Sequence, residues 1–187
     1  MNESKTKCLP VSSSHNVSLC PLPIPIVSSI KLLGVIFTTN FNFNSHISNV
    51  VCNTTRKLFA LRIVKPILSP SHCITIYQGL IRSVLEYCSP LFVGISKNNC
   101  IKLKKVQKRA HRIICHSDCT CHQFPLLSDR RLAASIKHFR SATKNLDHVL
   151  HSLIPPASTI RTHRFIQPFA ATSRRSNSFI SFTIRPL

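Results

Sequence analysis

Acidic residues are what this 187-residue chain has least of for its size: five Asp and Glu stand against 25 Lys and Arg, a formal net charge of +20. Charge of one sign on that scale opposes compaction unless a polyanion screens it. Nucleic acid is therefore the leading partner expected, and an anionic membrane surface the second. Glycine is nearly as scarce. Its three copies, Gly34, Gly79 and Gly94, form no phosphate-binding pattern, so nucleotide-loop enzymes have no support. A long hydrophobic run is missing too. The longest apolar stretch, residues 21–37, is interrupted by three prolines, two serines, Lys31 and Gly34, and so cannot cross a bilayer as a helix. No transmembrane segment is expected, and of the two polyanions nucleic acid, not a membrane, is taken as the partner. The opening MNESKTKCLP has no apolar core of the kind a secretory leader needs. The nine cysteines are an odd number, which argues against a closed disulfide framework. The thiols are expected to be reduced and the chain intracellular, in nucleus or cytoplasm and not secreted.

Against these absences, 43% of the residues are hydrophobic, too many for a disordered polycationic tail. A chain of this length can bury roughly 70% of its unfolded surface. The expected fold is mainly α: a small helical bundle with a short β-hairpin and an irregular basic tail. Three segments follow from composition. Residues 1–44 hold a Ser/Pro-rich flexible stretch and then IKLLGVIF, Ile30 to Phe37, which suggests a buried strand or a tight hairpin. Phe41 and Phe43 in the following turn are expected to dock it. Residues 45–155 carry the helices, and residues 156–187 the tail.

Periodicity places four helices. The first runs from a Ser45 cap to about Val64, with Ile47, Val50, Val51, Leu58 and Leu61 inside and Arg56, Lys57 and Arg62 outside, ended by Pro66. A second carries Ile74, Tyr77, Ile81, Val84, Leu85 and Cys88 and stops before Ser89-Pro90. In it Glu86 is read as the partner of Arg82, four positions back. A third starts near Ser96 and puts Leu103, Val106, Ala110, Ile113 and Ile114 on one face. At about 100° per residue, Lys104, Lys105, Lys108, Arg109 and Arg112 fall on the other. No acid occurs from Ser96 to Cys115. Ordinary solvated helices mix signs through Glu and Lys pairs four apart, so this face reads as a polyanion surface. A fourth helix is expected from Ser128 to His151, capped by Ser128 and Asp129, with Leu132, Ile136, Phe139, Leu146 and Leu150 inside. Pro155-Pro156 stops it. In the tail, arginines including Arg174 and Arg175 alternate with Phe165, Phe169, Phe179 and Phe182. That mixture suits phosphates and bases together, or else the phenylalanines fold back onto the bundle.

The order of these segments is familiar. NESKTK at residues 2–7, KLLGV at 31–35, FNSHISNVVCNTTRKLFALR with IYQGLIRSVLEYCSPLFVG and KLKKVQKRAHRII, and the closing PFAATSRRSNSFISFTIRPL together resemble the carboxy-terminal part of a non-LTR, jockey-like retrotransposon reverse transcriptase. By that resemblance they correspond to motif D, the motif E primer grip at the palm edge, the thumb and the tail. Lys5 then matches the motif D lysine that helps protonate the leaving pyrophosphate. The parent enzyme would need Mg, held by an aspartate of motif A and the paired aspartates of a YxDD-type motif C. The chain carries neither motif. Its acids, Glu3, Glu86, Asp118, Asp129 and Asp147, are dispersed. The resemblance implies a non-catalytic remnant of an RNA-directed DNA polymerase from a mobile element. It would bind RNA, DNA or hybrid without sequence preference, through Lys57, Lys104, Lys105, Lys108, Arg109, Arg112, Arg174 and Arg175.

Two other chemistries come into view. Cys115, Cys119, Cys121 and His122 are zinc-compatible ligand types, and a small zinc-stabilised interaction module is the alternative reading. Structural zinc sites usually draw on two ligand pairs separated by a loop, whereas these lie within a dozen residues of one another, as free thiols at a helix end also would. KLLGV with the helix after it is also similar to the leading segment of an AlkB-like tRNA-modifying dioxygenase. That likeness confers no chemistry, since an iron site needs a His-x-Asp triplet with a distant His, and none is expected here.

Overall fold

The computed structural model describes residues 6–11, 24–115, 124–156 and 178–184. It is mainly helical, with one antiparallel hairpin. Strands β1 (Ser29–Leu32) and β2 (Val35–Thr38) pair with Leu32 opposite Val35. That register leaves a two-residue turn in which Leu33 (φ 47°) and Gly34 (φ 86°) are both left-handed, as a type I′ turn requires. The Tyr87 hydroxyl donates to the Leu33 carbonyl at 2.8 Å and braces the turn. Of the two expected forms the tight hairpin is the one present, and the buried strand is not: in this hairpin only Val35 is buried, while Leu32 and Leu33 are exposed. A lone hairpin covers one side of its strands at most, and here the cover comes from α1.

Helix α1 (Asn44–Val64) buries His46 and, from Ile47 on at steps of three and four residues, Val50, Thr54, Leu58 and Leu61. Ser45 is not its cap. Phe43 occupies that position with a left-handed φ of 48° and makes no side-chain cap bond, and Asn42 Oδ1 accepts from the Asn44 amide at 3.2 Å instead. The strained turn brings rings together. Phe37 lies 5.8 Å from Phe41 and 6.0 Å from Phe43, and Phe43 lies 6.0 Å from Phe92. Aromatic pairs at such distances contribute about 0.5–1.5 kcal/mol each beyond burial, enough to offset the roughly 1 kcal/mol of a left-handed residue. Thr54 is fully buried, and its hydroxyl is satisfied by the Val50 carbonyl at 2.7 Å.

Ser69 caps α2 (Pro70–Ile76), accepting from the His72 amide with Pro70 in the first turn, an arrangement that suits proline because its missing N–H has no helical partner there. The helix passes into a π-helical segment, Tyr77–Arg82, and then α3 (Ser83–Glu86). The reason lies in the spacing of Cys73, Tyr77, Ile81 and Leu85, all buried. Steps of four residues overrun a 3.6-residue turn by about 40° each time. The wider π turn absorbs that drift and keeps these side chains on the core. Tyr87 turns extended and Cys88 left-handed before a 3₁₀ turn, Ser89–Phe92.

Ser96 caps α4 (Lys97–Ile114), accepting from the Asn99 amide at 3.3 Å. Buried Asn99 donates to Asn44 Oδ1 at 2.7 Å, so α1 and α4 start side by side; they pack directly on each other and their carboxy-terminal halves also face one another, so the two run parallel. Helix α5 (Leu127–Lys144) differs from expectation in three ways. Leu126, not Ser128, holds the cap position without a side-chain bond, although Asp129 does sit in the first turn where it favours the dipole. The buried face is Leu127, Arg131, Ser135, Phe139 and Ala142, with Leu132 and Ile136 only half-buried. The helix ends at Asn145, well short of His151, so Leu146 is exposed and Leu150 lies outside it. A short helix α6 (Phe179–Ile184) packs on α5 and buries Thr183, so this part of the tail does fold back. Among the described residues no helix is long and apolar enough to cross a membrane.

Candidate nucleic-acid interface

The α4 period divides the helix as its sequence requires. Leu103, Val106, Ala110 and Ile114 enter the core, while Lys104, Lys105, Lys108, Arg109 and Arg112 are all exposed. Lys102 and Lys97 join them on the solvent side, and periodicity alone could have added both. The parallel packing of α1 and α4 has a further result. Their carboxy-terminal halves flank a groove of about 590 Å³. Arg62 and Lys65 line it from the α1 side, Arg109 and Arg112 from α4, with Leu58, Phe59 and Ile113 as its apolar lining. No acid lines it. Arg62 and Arg112 also stand in the last turns of their helices, where a cation meets the negative end of the dipole. That field favours both cations, whereas Arg109, a turn earlier, gains less because the field falls off within the last turn.

The other expected nucleic-acid-binding residues separate into groups. Lys57 is exposed, but its ammonium donates to the Leu80 carbonyl at 3.0 Å and ties α1 to the π segment. Lys5, Arg174 and Arg175 lie outside the described residues. Sequence reasoning puts Arg62 on the outer face of α1 but counts neither it nor Lys65 among the binding residues, since each looks like an ordinary surface cation until α4 is laid beside it.

Glu86 pairs with Arg130 of α5 through both carboxylate oxygens, the second at 2.9 Å. This corrects the Arg82 pairing. The ion pair locks the end of α3 to the start of α5 and, through its hydrogen bond, raises the Arg130 pKa. Beside it Arg131 is buried. Its Nη2 reaches Cys100 Sγ at 3.6 Å, and its Nη1 has no partner among the described residues. Desolvation pulls the Arg131 pKa down. Neither arginine lines the α1–α4 groove.

Two-metal phosphoryl transfer needs carboxylates converging on one point, and the described acids do not converge. Glu86 is held by Arg130, Asp129 accepts from the Ser128 hydroxyl, and Asp147 is exposed on the turn after α5. No group of three His, Cys, Asp or Glu side chains gathers among the described residues. Magnesium chemistry therefore has no fitting site there. Of the zinc-compatible set, Cys115 is buried against the apolar core at the end of α4; Cys119, Cys121 and His122 lie outside the described residues. So does His116-Ser117-Asp118, a His-x-Asp order that corrects the expectation of none.

Comparison of the chain with protein-family models, with curated proteins and with solved structures finds no match.

Proposed function

We propose that the chain is a non-catalytic nucleic-acid-binding remnant of a mobile element's RNA-directed DNA polymerase, in which α1 and α4 act as a basic thumb against phosphates. The observation that carries this reading is the acid-free cationic surface of α4 continuing into the α1–α4 groove. Phosphates supply the negative charge that such a surface lacks, and counterion release drives the binding. The resemblance of the KLLGV hairpin, the helices and the closing NSF and IR to the reverse-transcriptase carboxy-terminal region supports the same reading. Polymerase activity is not proposed, because the described acids, Glu86, Asp129 and Asp147, do not converge on one point.

Binding should be indifferent to sequence and fall steeply with salt. Replacing Lys104, Lys105, Lys108 and Arg109 together by Gln is expected to lower the slope of log affinity against log salt by about one for each phosphate no longer neutralised. Fluorescence anisotropy with a labelled RNA–DNA hybrid across a salt series measures it. All four side chains are exposed, so the variant keeps its core. An unchanged slope would remove α4 from the interface and the reading with it.

A further inference from the structure

We infer that the α1–α4 groove takes an unpaired strand, one base of which stacks on the ring of Phe59 while the arginines of the two walls hold the flanking phosphates. The inference rests on the nucleic-acid reading above and narrows it from polyanion to single strand. Phe59 is 65% exposed, and a lone exposed phenylalanine is ordinary on a protein surface. This one is not lone. It lies in a concave groove lined also by Leu58 and Ile113, with Arg62 one turn along α1 and Arg109 and Arg112 on the facing helix. An aromatic face between cations satisfies base and phosphate at once, as single-strand binders do. The groove's volume falls within the roughly 300–1,000 Å³ of ligand pockets.

A duplex cannot stack on this ring, because both faces of each internal base are already covered by neighbours. It could engage only the cations. A second copy of the chain, itself at +20, would meet the groove with repulsion. Charge complementarity therefore selects a polyanion, and Phe59 selects one with free aromatic faces.

The absence of tryptophan from the chain provides a direct probe. In Phe59→Trp the indole is the one tryptophan, and its emission is expected to be quenched by a short mixed-sequence single-stranded RNA but not by a blunt duplex of the same composition. Phe59→Ala is expected to weaken single-strand binding about tenfold and leave duplex binding unchanged, with Phe59→Tyr restoring it. Arg109→Gln with Arg112→Gln is expected to weaken both. Equal losses for strand and duplex in Phe59→Ala, emission unmoved by saturating RNA, or equal quenching by an acidic peptide would overturn the inference. If the arginine pair changes neither affinity nor salt slope, the nucleic-acid reading of this groove falls too. If the pair weakens both ligands while Phe59→Ala weakens neither, only the stacking inference falls.

Discussion

Tyr77 illustrates how a single side chain can cost stability while filling the core. Its ring is fully buried and lies 4.7 Å from Phe124, yet its hydroxyl has no hydrogen-bond partner among the described residues. Desolvation outweighs the opposing pull of Arg82 and Arg130 and pushes its pKa from 10.0 up to about 12. Folding thus favours the neutral phenol. The sign follows from that rise: ionisation in the unfolded chain draws stability away between pH 10 and pH 12, by about 1.4 kcal/mol per unit in that window. Tyr77→Phe is expected to abolish that loss. At pH 7 it should raise stability by about 1 kcal/mol, since it removes a buried donor with nothing to bond. Urea midpoints at pH 7 and pH 11 measure both effects, and a less stable variant at pH 7 would mean the hydroxyl has a partner. The Glu86–Arg130 pair teaches a different lesson at this scale. Within one helix Arg82 is the natural partner, because residues four apart are neighbours on a helix surface. Arg130 prevails by approaching from α5, a proximity no local spacing encodes.

Among the elements, the hairpin carries its strain openly. A type I′ turn favours Asn-Gly, and this one has Leu-Gly, with Leu33 at φ 47° and its side chain 83% exposed. Leu33→Asn is expected to raise stability by about 1 kcal/mol, because the Tyr87 bond goes to the backbone carbonyl and survives. A thermal or urea midpoint detects the gain; a loss would show that the leucine side chain contributes packing after all. The helices divide into legible and illegible ends. Ser96 announces a start through its hydroxyl, and Pro66 a stop, whereas Ser45 and Ser128 look alike in the sequence and cap nothing, and the Ser69 cap goes unread. The end of α5 carries no such signal: Leu146, Val149 and Leu150 continue a helical pattern past Asn145. The pattern records apolar residues, not whether anything covers them, and Leu146 and Val149 are exposed. The π segment is likewise hidden, because four-residue steps fit an α-helix loosely and a π turn better.

For the whole molecule the net charge of +20 sets two opposing salt dependences. Added salt screens self-repulsion and should raise the melting temperature of the free protein, by about 2–4 °C for each kcal/mol recovered. The same salt should diminish the further stabilisation conferred by a bound hybrid. Circular-dichroism melts over a salt series, with and without RNA–DNA hybrid, measure both. Parallel curves would count against binding by the folded state. The sequence by itself determined the charge, the helical class and the cationic face of α4, because these depend on composition and on a period set within a few turns. Only tertiary structure decided that Arg62 and Lys65 meet Arg109 and Arg112 across one groove, and that Glu86 meets Arg130. Which faces pack together depends on residues far apart in the chain, and local spacing carries no record of their meeting.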